Sequence, residues 1–182
     1  MTHIIAISAG HTPTRPGATQ GNISEYSLTT AIAGRLCQLL SEKGYFAWII
    51  GADTNANQID AINKLNPSCG LELHFNSFTD GTMHGTEVLH AGSKRGIQLA
   101  QHIQNNLLDR LGTKDRGIKK GYYQGDYRKP LVEMLSKTNC PFVIPEPLFL
   151  SNPGDFAKVG SGMRELVAIA LCDGIELYLG GI

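Results

Sequence analysis

Short apolar runs that end at polar side chains are the feature that most constrains the fold of this chain. Three of these runs end at or beside one strongly polar residue each: His11, His74 and Glu146. Runs this short, separated by longer amphipathic stretches, predict buried strands that alternate with helices. Because the carboxyl ends of parallel strands meet at one edge of a sheet, we expect the three side chains to lie together there.

Between these runs, apolar residues recur at the 3.6-residue spacing of amphipathic helices. The helices predicted in this way cover residues 25–43, 54–66, 93–111, 130–137 and 163–178. Residues 45–50 predict a buried strand and residues 85–90 another strand, whereas residues 115–128 are predicted to be irregular. This alternation predicts an α/β fold whose largely parallel sheet has helices on both faces.

The composition is that of a soluble globular protein. A length of 182 residues suits one domain with a full core, so we expect residues 1–182 to form a single domain. The formal net charge is zero, which argues against binding to nucleic acid or to an anionic membrane. No apolar run approaches the roughly 20 residues of a membrane span, and no signal peptide is expected. The four cysteines lie far apart, so we expect reduced thiols rather than a cysteine-rich zinc site.

Further polar residues accompany the predicted strand ends. His11 follows a glycine and begins a long loop, and long ordered loops are often functional. His74 shares one strand face with Glu72 and Asn76 by period-two alternation. Glu146 lies between two prolines at the end of an apolar strand, where a carboxylate is costly unless paired, metal-bound or exposed in a cleft. Two imidazoles with a carboxylate suit a catalytic zinc ion, and a further carboxylate can act as the base.

Glu25 follows the loop that begins at His11 and is another candidate for this site. The sequence also allows a purely structural role, because residues 22–25 resemble a capping box in which Glu25 reaches back to a backbone amide. A cap needs only a hydrogen-bonding side chain, whereas a metal ligand needs the carboxylate charge. Both interpretations of Glu25 stay open at this point.

Six separated motifs follow one another in the order of a known enzyme family and span nearly the whole chain. They are Ser8-Ala9-Gly10-His11, Pro16-Gly17-Ala18 with Glu25, Leu73-His74-Phe75-Asn76-Ser77, Gly85-Thr86-Glu87-Val88, Arg116-Gly117-Ile118-Lys119 and Glu146-Pro147-Leu148-Phe149-Leu150-Ser151-Asn152. In these motifs the chain resembles the zinc-dependent N-acetylmuramoyl-L-alanine amidases.

The resemblance implies one zinc ion held by His11, Glu25 and His74, with Glu146 as the catalytic glutamate. It implies a mixed, mostly parallel sheet flanked by helices. The implied substrate is peptidoglycan, cut at the amide between the lactyl group of N-acetylmuramic acid and the L-alanine of the stem peptide. The chain would then act as a monomer at the bacterial cell wall, either as a phage lysin made in the host cytoplasm or as the mature form of an exported enzyme.

Two positions near the implied ligands depart from the family's pattern. Ser8 stands where many members carry Asp, and Glu72 stands where a small residue is usual. We expect both residues to affect how the zinc ligands are oriented, without binding the metal themselves. Neither change removes a ligand or the base, so metal affinity and pH optimum are the properties they would alter.

A basic stretch with three tyrosines, residues 116–129, is the candidate for binding the carboxylates and sugar faces of a wall strand. The residues expected to contact substrate are Asn76, Arg116, Lys119, Tyr122 and Tyr123. A solvated surface loop is the alternative for this stretch.

Two other functions stay open on the sequence. One is another zinc metallopeptidase, of the carboxypeptidase type, which would need Arg116 to hold the terminal carboxylate of its substrate. The other is a non-catalytic wall-binding domain, against which the intact Glu146 argues.

Overall fold

The structure is a computed structural model that describes residues 3–51, 54–121 and 129–181. Its helices are α1 (Glu25–Glu42), α2 (Asn55–Leu65), α3 (Lys94–Leu111), α4 (Lys129–Lys137), α5 (Pro153–Phe156) and α6 (Ser161–Gly180). Its strands are β1 (Ile4–Ala9), β2 (Thr19–Gln20), β3 (Ile23–Ser24), β4 (Phe46–Ile49), β5 (Cys69–Leu73), β6 (Thr86–His90), β7 (Asp115–Lys120) and β8 (Phe142–Glu146).

Six strands form the main sheet in the order β4, β1, β5, β8, β6, β7. The first four run parallel, whereas β6 pairs antiparallel with β8, and β7 runs parallel to β6. The carboxyl ends of β1, β5 and β8 therefore meet the amino ends of β6 and β7 at one edge. The predicted α/β fold with a mixed, mostly parallel sheet is confirmed.

Helices cover both faces of this sheet. The larger apolar core lies against α1, α3 and α6, and β1 sends Ile5 and Ile7 into it. The smaller core lies against α2 and α4 and includes Ala6 from β1 and Ile144 from β8. Alternation along the strands places the polar residues of the strand ends on this second face. They are Ser8, Glu72, His74, Glu87 and Glu146.

The prediction of an irregular segment at residues 115–128 is wrong for its first part. Asp115–Lys120 is β7, an edge strand that pairs with β6. Its polar composition and Gly117, with φ at +77°, conceal the alternation that identifies an ordinary strand. An edge strand tolerates such residues because one of its sides has no strand partner.

The prediction of a buried strand at residues 45–50 is also wrong in part. β4 exists, but it is the other edge of the sheet, and Phe46, Trp48 and Ile49 are 59%, 55% and 49% exposed. An apolar run identifies a strand without saying whether a neighbour covers it.

The helix boundaries agree with the sequence signals. Ser24, Thr54 and Ser93 cap the amino ends of α1, α2 and α3 with their side chains, and Gly112 ends α3 with a φ of +57°. Among the helices that the structure describes, none combines the length and the apolar character needed to cross a membrane.

Candidate metal centre and catalytic site

His11 lies two residues beyond the end of β1 and has an uncommon backbone conformation. Its φ of +70° is in the left-handed region, which residues with a Cβ seldom adopt. Gly10 donates its N–H to the carbonyl of Leu73 at 2.8 Å, which ties this turn to the end of β5. The turn brings Nε2 of His11 to 2.9 Å from Oε2 of Glu25. Backbone strain of this kind clusters at functional sites.

Glu25 is the first residue of α1 and is buried despite its charge. Its Oε2 also accepts the N–H of Ala18 at 3.1 Å. Its Oε1 accepts the N–H of Phe75 at 2.8 Å and lies 3.0 Å from Nδ1 of His74. The carboxylate therefore joins the loop after β1 to the end of β5.

The capping-box interpretation of Glu25 is wrong. The capping box of α1 consists of Ser24 and Ser27, each of which accepts the backbone N–H of the other on its hydroxyl oxygen. Glu25 takes no part in this box, because its hydrogen bonds go to the imidazoles and to backbone amides elsewhere.

His74 contacts a carboxylate on each ring nitrogen. Nδ1 faces Glu25, and Nε2 lies 3.3 Å from Oε2 of Glu72. Burial lowers the pKa of His74, but the two carboxylates outweigh it and raise this pKa to about 10. Burial raises the pKa of Glu25, while hydrogen bonds with His11 and His74 lower it to about 2. The opposite charges of Glu25 and His74 therefore stabilise each other inside the protein.

Two glycines leave the space that these side chains occupy. A Cβ on Gly10 would lie 2.4 Å from the His74 ring. A Cβ on Gly17, whose φ is +75°, would lie 2.5 Å from Oε2 of Glu25 and 2.6 Å from the His11 ring. Any larger residue at either position would displace the cluster.

The three side chains fit a catalytic zinc ion. One ligand atom each from His11, Glu25 and His74 lies within 4.8 Å of the others, and tetrahedral ligands at zinc distances are separated by about 3.4 Å. Two imidazoles and one carboxylate are a donor set of zinc hydrolases, with the fourth position left for water. The His11 side chain is 31% exposed, so the cluster can be reached from solvent. The structure therefore brings the three predicted ligands together.

Glu146 follows Pro145, whose carbonyl accepts the N–H of His74 at 3.1 Å. It is the buried last residue of β8, and Nδ2 of Asn76 donates a hydrogen bond to its Oε2. Asn76 lies two residues after His74 and pairs with the chain beyond β8. The predicted base thus lies on the strand next to the one that leads to His74.

The two positions that depart from the family's pattern lie side by side. Ser8 on β1 is in register with Glu72 on β5. Glu72 contacts His74, as expected of a residue that orients a predicted metal ligand without binding the metal itself. The buried hydroxyl of Ser8 has no hydrogen-bond partner among the residues that the structure describes.

Sequence reasoning missed Glu87, a buried carboxylate on β6. Its Oε2 pairs with Nε of Arg116 at 2.6 Å and with Nζ of Lys119 at 2.5 Å. Its Oε1 accepts a hydrogen bond from Nδ2 of Asn76 at 3.0 Å. The signal was present, because a carboxylate inside a short apolar strand is the feature that identified Glu146. The sequence did not reveal the antiparallel direction of β6, which brings the first residues of this strand to the edge where Glu146 lies.

The residues expected to contact substrate divide into two groups. The side chains of Asn76, Arg116 and Lys119 are bonded to Glu87, near this edge of the sheet. Tyr122 and Tyr123 lie outside the described residues.

Comparison with known proteins identifies the family of this chain. The profile of a family described as N-acetylmuramoyl-L-alanine amidase matches residues 5–177. The chain belongs to this family. A relative, the N-acetylmuramoyl-L-alanine amidase LytC of Bacillus subtilis (strain 168), is 26% identical over 185 residues. That match covers 96% of this chain and 35% of LytC, so the chain spans about a third of that relative's length.

Solved structures of amidases share the fold. The catalytic domain of CwlV, an N-acetylmuramoyl-L-alanine amidase from Bacillus (Paenibacillus) polymyxa var. colistinus, has a TM-score of 0.86 at 21% identity, covering 98% of this chain and 99% of that one. An N-acetylmuramoyl-L-alanine amidase from Clostridium difficile 630 has a TM-score of 0.87 at 23% identity, covering 98% and 97%. The arrangement of helices and strands is therefore that of an amidase catalytic domain.

Proposed function

We propose that this member of the amidase family hydrolyses peptidoglycan with the help of one zinc ion. The bond cut is the amide between the lactyl group of N-acetylmuramic acid and the L-alanine of the stem peptide. The observation that carries the proposal is the cluster of His11, Glu25 and His74, with Glu146 beside it on the neighbouring strand. Membership of the family supports the reaction and the substrate class.

His11, Glu25 and His74 would hold the ion. When bound, zinc lowers the pKa of a water molecule toward about 7 and polarises the carbonyl of the scissile amide. Glu72 supports this by accepting a hydrogen bond from Nε2 of His74, which turns Nδ1 of the ring toward the other two ligands.

Glu146 serves as both base and acid. Its carboxylate takes a proton from the attacking water and returns it to the departing alanine nitrogen. The hydrogen bond from Asn76 to Oε2 restricts the side-chain rotation that would move this carboxylate away from the reacting atoms. Both proton transfers depend on that orientation.

The carboxypeptidase-type alternative is not favoured. It would need Arg116 to grip a substrate carboxylate, but the guanidinium already pairs with Glu87 and lies 4.7 Å above the centre of the Phe149 ring. A non-catalytic wall-binding domain is not favoured either, because such a role leaves the grouping of ligands and base without a purpose.

The proposal is tested with Glu146→Gln. This variant should fold and bind one zinc ion per chain, because Glu146 is not among the ligands, and should lose hydrolysis by about 10²–10⁴-fold. The control is Glu133→Gln, a half-buried residue of α4 paired with Lys137, which should leave activity unchanged. Wild-type rates in Glu146→Gln would show that another residue is the base.

The products identify the bond that is cut. Purified cell wall treated with the wild type should release stem peptides with new amino termini on L-alanine and without new reducing sugar ends. New reducing ends would mean a glycosidase, and new amino termini on another residue would mean a peptidase.

We also infer that the chain acts as one catalytic domain and as a monomer at the bacterial cell wall, since a single chain supplies the ligands and the base. Size-exclusion chromatography with light scattering would contradict this if the active species were a dimer. Lysis of intact cells from outside, compared with lysis only after expression inside the host, would separate an exported enzyme from a phage lysin.

A further inference from the structure

The side chain of Glu87 is 1% exposed, so its charge is almost entirely removed from water. Burial of a carboxylate is costly unless charged partners and hydrogen bonds compensate it. Burial raises the pKa of Glu87, but the hydrogen bonds from Lys119 and Arg116 outweigh this and keep it below the ordinary value. Glu87 is therefore an anion held by two cations, and Asn76 bonds to its remaining oxygen.

The amide of Asn76 has one orientation that satisfies its surroundings. Its Oδ1 accepts the N–H of Ser77 at 3.0 Å, so its Nδ2 faces the carboxylates of Glu87 and Glu146. A flipped amide would set its oxygen against two carboxylates. The backbone of Asn76 is fixed as well, since its N–H donates to the carbonyl of Leu148 at 2.9 Å. Asn76 thus connects the two carboxylates through one rigid group.

Glu87 and Glu146 are also direct neighbours in the sheet. They form a cross-strand pair in the antiparallel ladder of β6 and β8. Like charges directly opposite each other destabilise such a ladder. The cations on β7, Arg116 and Lys119, compensate the charge of Glu87 on the side away from Asn76. This arrangement allows Glu146 to stay close to another carboxylate without being driven out of position.

We propose that Glu87 is a positioning residue that directs the carboxylate of Glu146 through Asn76, with Arg116 and Lys119 holding Glu87 in place. The inference rests on the proposed function, because it assigns a role in the same reaction. It also changes the role of Arg116 and Lys119, which act inside the protein rather than on the substrate.

Glu87→Gln is the first test, with a soluble muramyl peptide as substrate. The kcat should fall by about 10- to 100-fold, the range for loss of a residue that orients a catalytic group. KM should stay within about twofold and zinc content at one ion per chain, because the Glu87 side chain is almost fully buried and is not among the proposed ligands. The matched control is Glu165→Gln, which removes a surface carboxylate paired with Arg35 and should change none of the three values.

A double-mutant cycle tests whether Glu87 acts through Asn76. If it does, Glu87→Gln should lower the kcat of an Asn76→Ala variant by less than about twofold, because the connection is already broken. Losses that simply multiply would overturn the proposal. So would a Glu87→Gln variant with wild-type kcat, or one in which KM alone changes.

Lys119→Met keeps the proposal testable if Glu87→Gln fails to fold, because the Lys119 side chain is partly exposed. Loss of this cation leaves the Glu87 charge less compensated, so the acidic limb of the kcat/KM profile should move to higher pH. Glu87→Gln leaves Arg116 and Lys119 uncompensated beside Glu146, so the limb should move to lower pH. An unchanged acidic limb, or a rise in KM alone, for Lys119→Met would contradict the inference. Where both variants fold, shifts in the same direction would contradict it as well.

Failure of this inference can be told apart from failure of the proposed function. An inactive wild type, or a fully active Glu146→Gln variant, would contradict the proposed reaction and its base. If the wild type is active and needs Glu146 but not Glu87, only the positioning role of Glu87 would be contradicted.

Discussion

At the scale of single residues, Glu25 is the most heavily engaged side chain of the cluster. Each carboxylate oxygen accepts one backbone N–H and contacts one imidazole. A neutral amide of the same size cannot reproduce this pattern, because its nitrogen donates where Glu25 accepts. The charge of Glu25, and not its shape alone, is therefore what the site requires.

Glu25→Gln should fold but bind zinc poorly. The amide brings no negative charge and coordinates weakly. We therefore expect zinc affinity to fall by more than about 100-fold, which exceeds the usual effect of losing a residue that only orients a ligand. Competition titration against a chromophoric chelator measures the change. Glu42→Gln, at the exposed end of the same helix, is the control, and wild-type affinity in Glu25→Gln would show that Glu25 is not a ligand.

Glu72 and Ser8 allow a test by exchange. Glu72→Ala should lower zinc affinity by about 10- to 100-fold, because His74 loses the carboxylate that orients its ring. Ser8→Asp in the same variant should restore part of the loss, since residue 8 lies in register with residue 72 on the adjacent strand. Rescue by Ser8→Asp but not by Ser8→Leu would exclude a simple packing effect. Full affinity in Glu72→Ala would contradict the orienting role.

At the scale of elements, the site depends on how strand ends and loops meet. The loop after β1 contains the β2–β3 hairpin and returns to α1, so that His11 and Glu25 are brought together from its two ends. The antiparallel direction of β6 sets Glu87 opposite Glu146. A site assembled in this way is sensitive to loop glycines that contact it and tolerant of those that do not.

Gly17→Ala and Gly21→Ala should separate these two cases. Both glycines have positive φ, so both substitutions carry similar backbone strain, of about 1 kcal/mol. A Cβ at Gly17 would meet Glu25 and His11, whereas a Cβ at Gly21 has nothing within 4 Å. Zinc affinity should therefore fall in Gly17→Ala and stay normal in Gly21→Ala. Equal losses in the two variants would show that backbone strain alone matters.

At the scale of the whole molecule, the proposed ligand set connects distant parts of the chain. His11 follows β1, Glu25 begins α1 and His74 follows β5. A metal ion bound by all three would therefore join distant segments, since Glu25 and His74 alone are 49 residues apart in the chain. Such a bridge exists only in the folded state, and binding to the folded state alone stabilises it.

Zinc should therefore raise the melting temperature of the chelator-treated protein. At free zinc about 1,000-fold above the dissociation constant, the stabilisation is about 4 kcal/mol, or about 8–16 °C for a domain of this size. Differential scanning calorimetry with and without zinc measures the shift, and His74→Ala should show little of it. An equal shift in His74→Ala would mean that zinc binds elsewhere.

Much of this protein could be predicted from its sequence, because the responsible physics is local. Apolar spacing and caps located α1, α2 and α3, since both act within a few turns of the chain. The polar ends of apolar strands identified His11, His74 and Glu146, and for His74 and Glu146 the cost of burying a polar group strengthened the prediction. Family motifs then predicted Glu25 as their partner.

The tertiary structure decided what local patterns cannot express. The apolar run of β4 is the same whether or not a neighbour covers it, and only the strand order places it at the edge. Glu25 could cap α1 or face the imidazoles, and the fold of the loop before it selected the second. Arg116 and Lys119 became partners of Glu87 because β7 pairs with β6, and Glu87 came to lie opposite Glu146 because β6 runs antiparallel to β8. Strand direction depends on contacts between residues far apart in the chain, so no local spacing contains it.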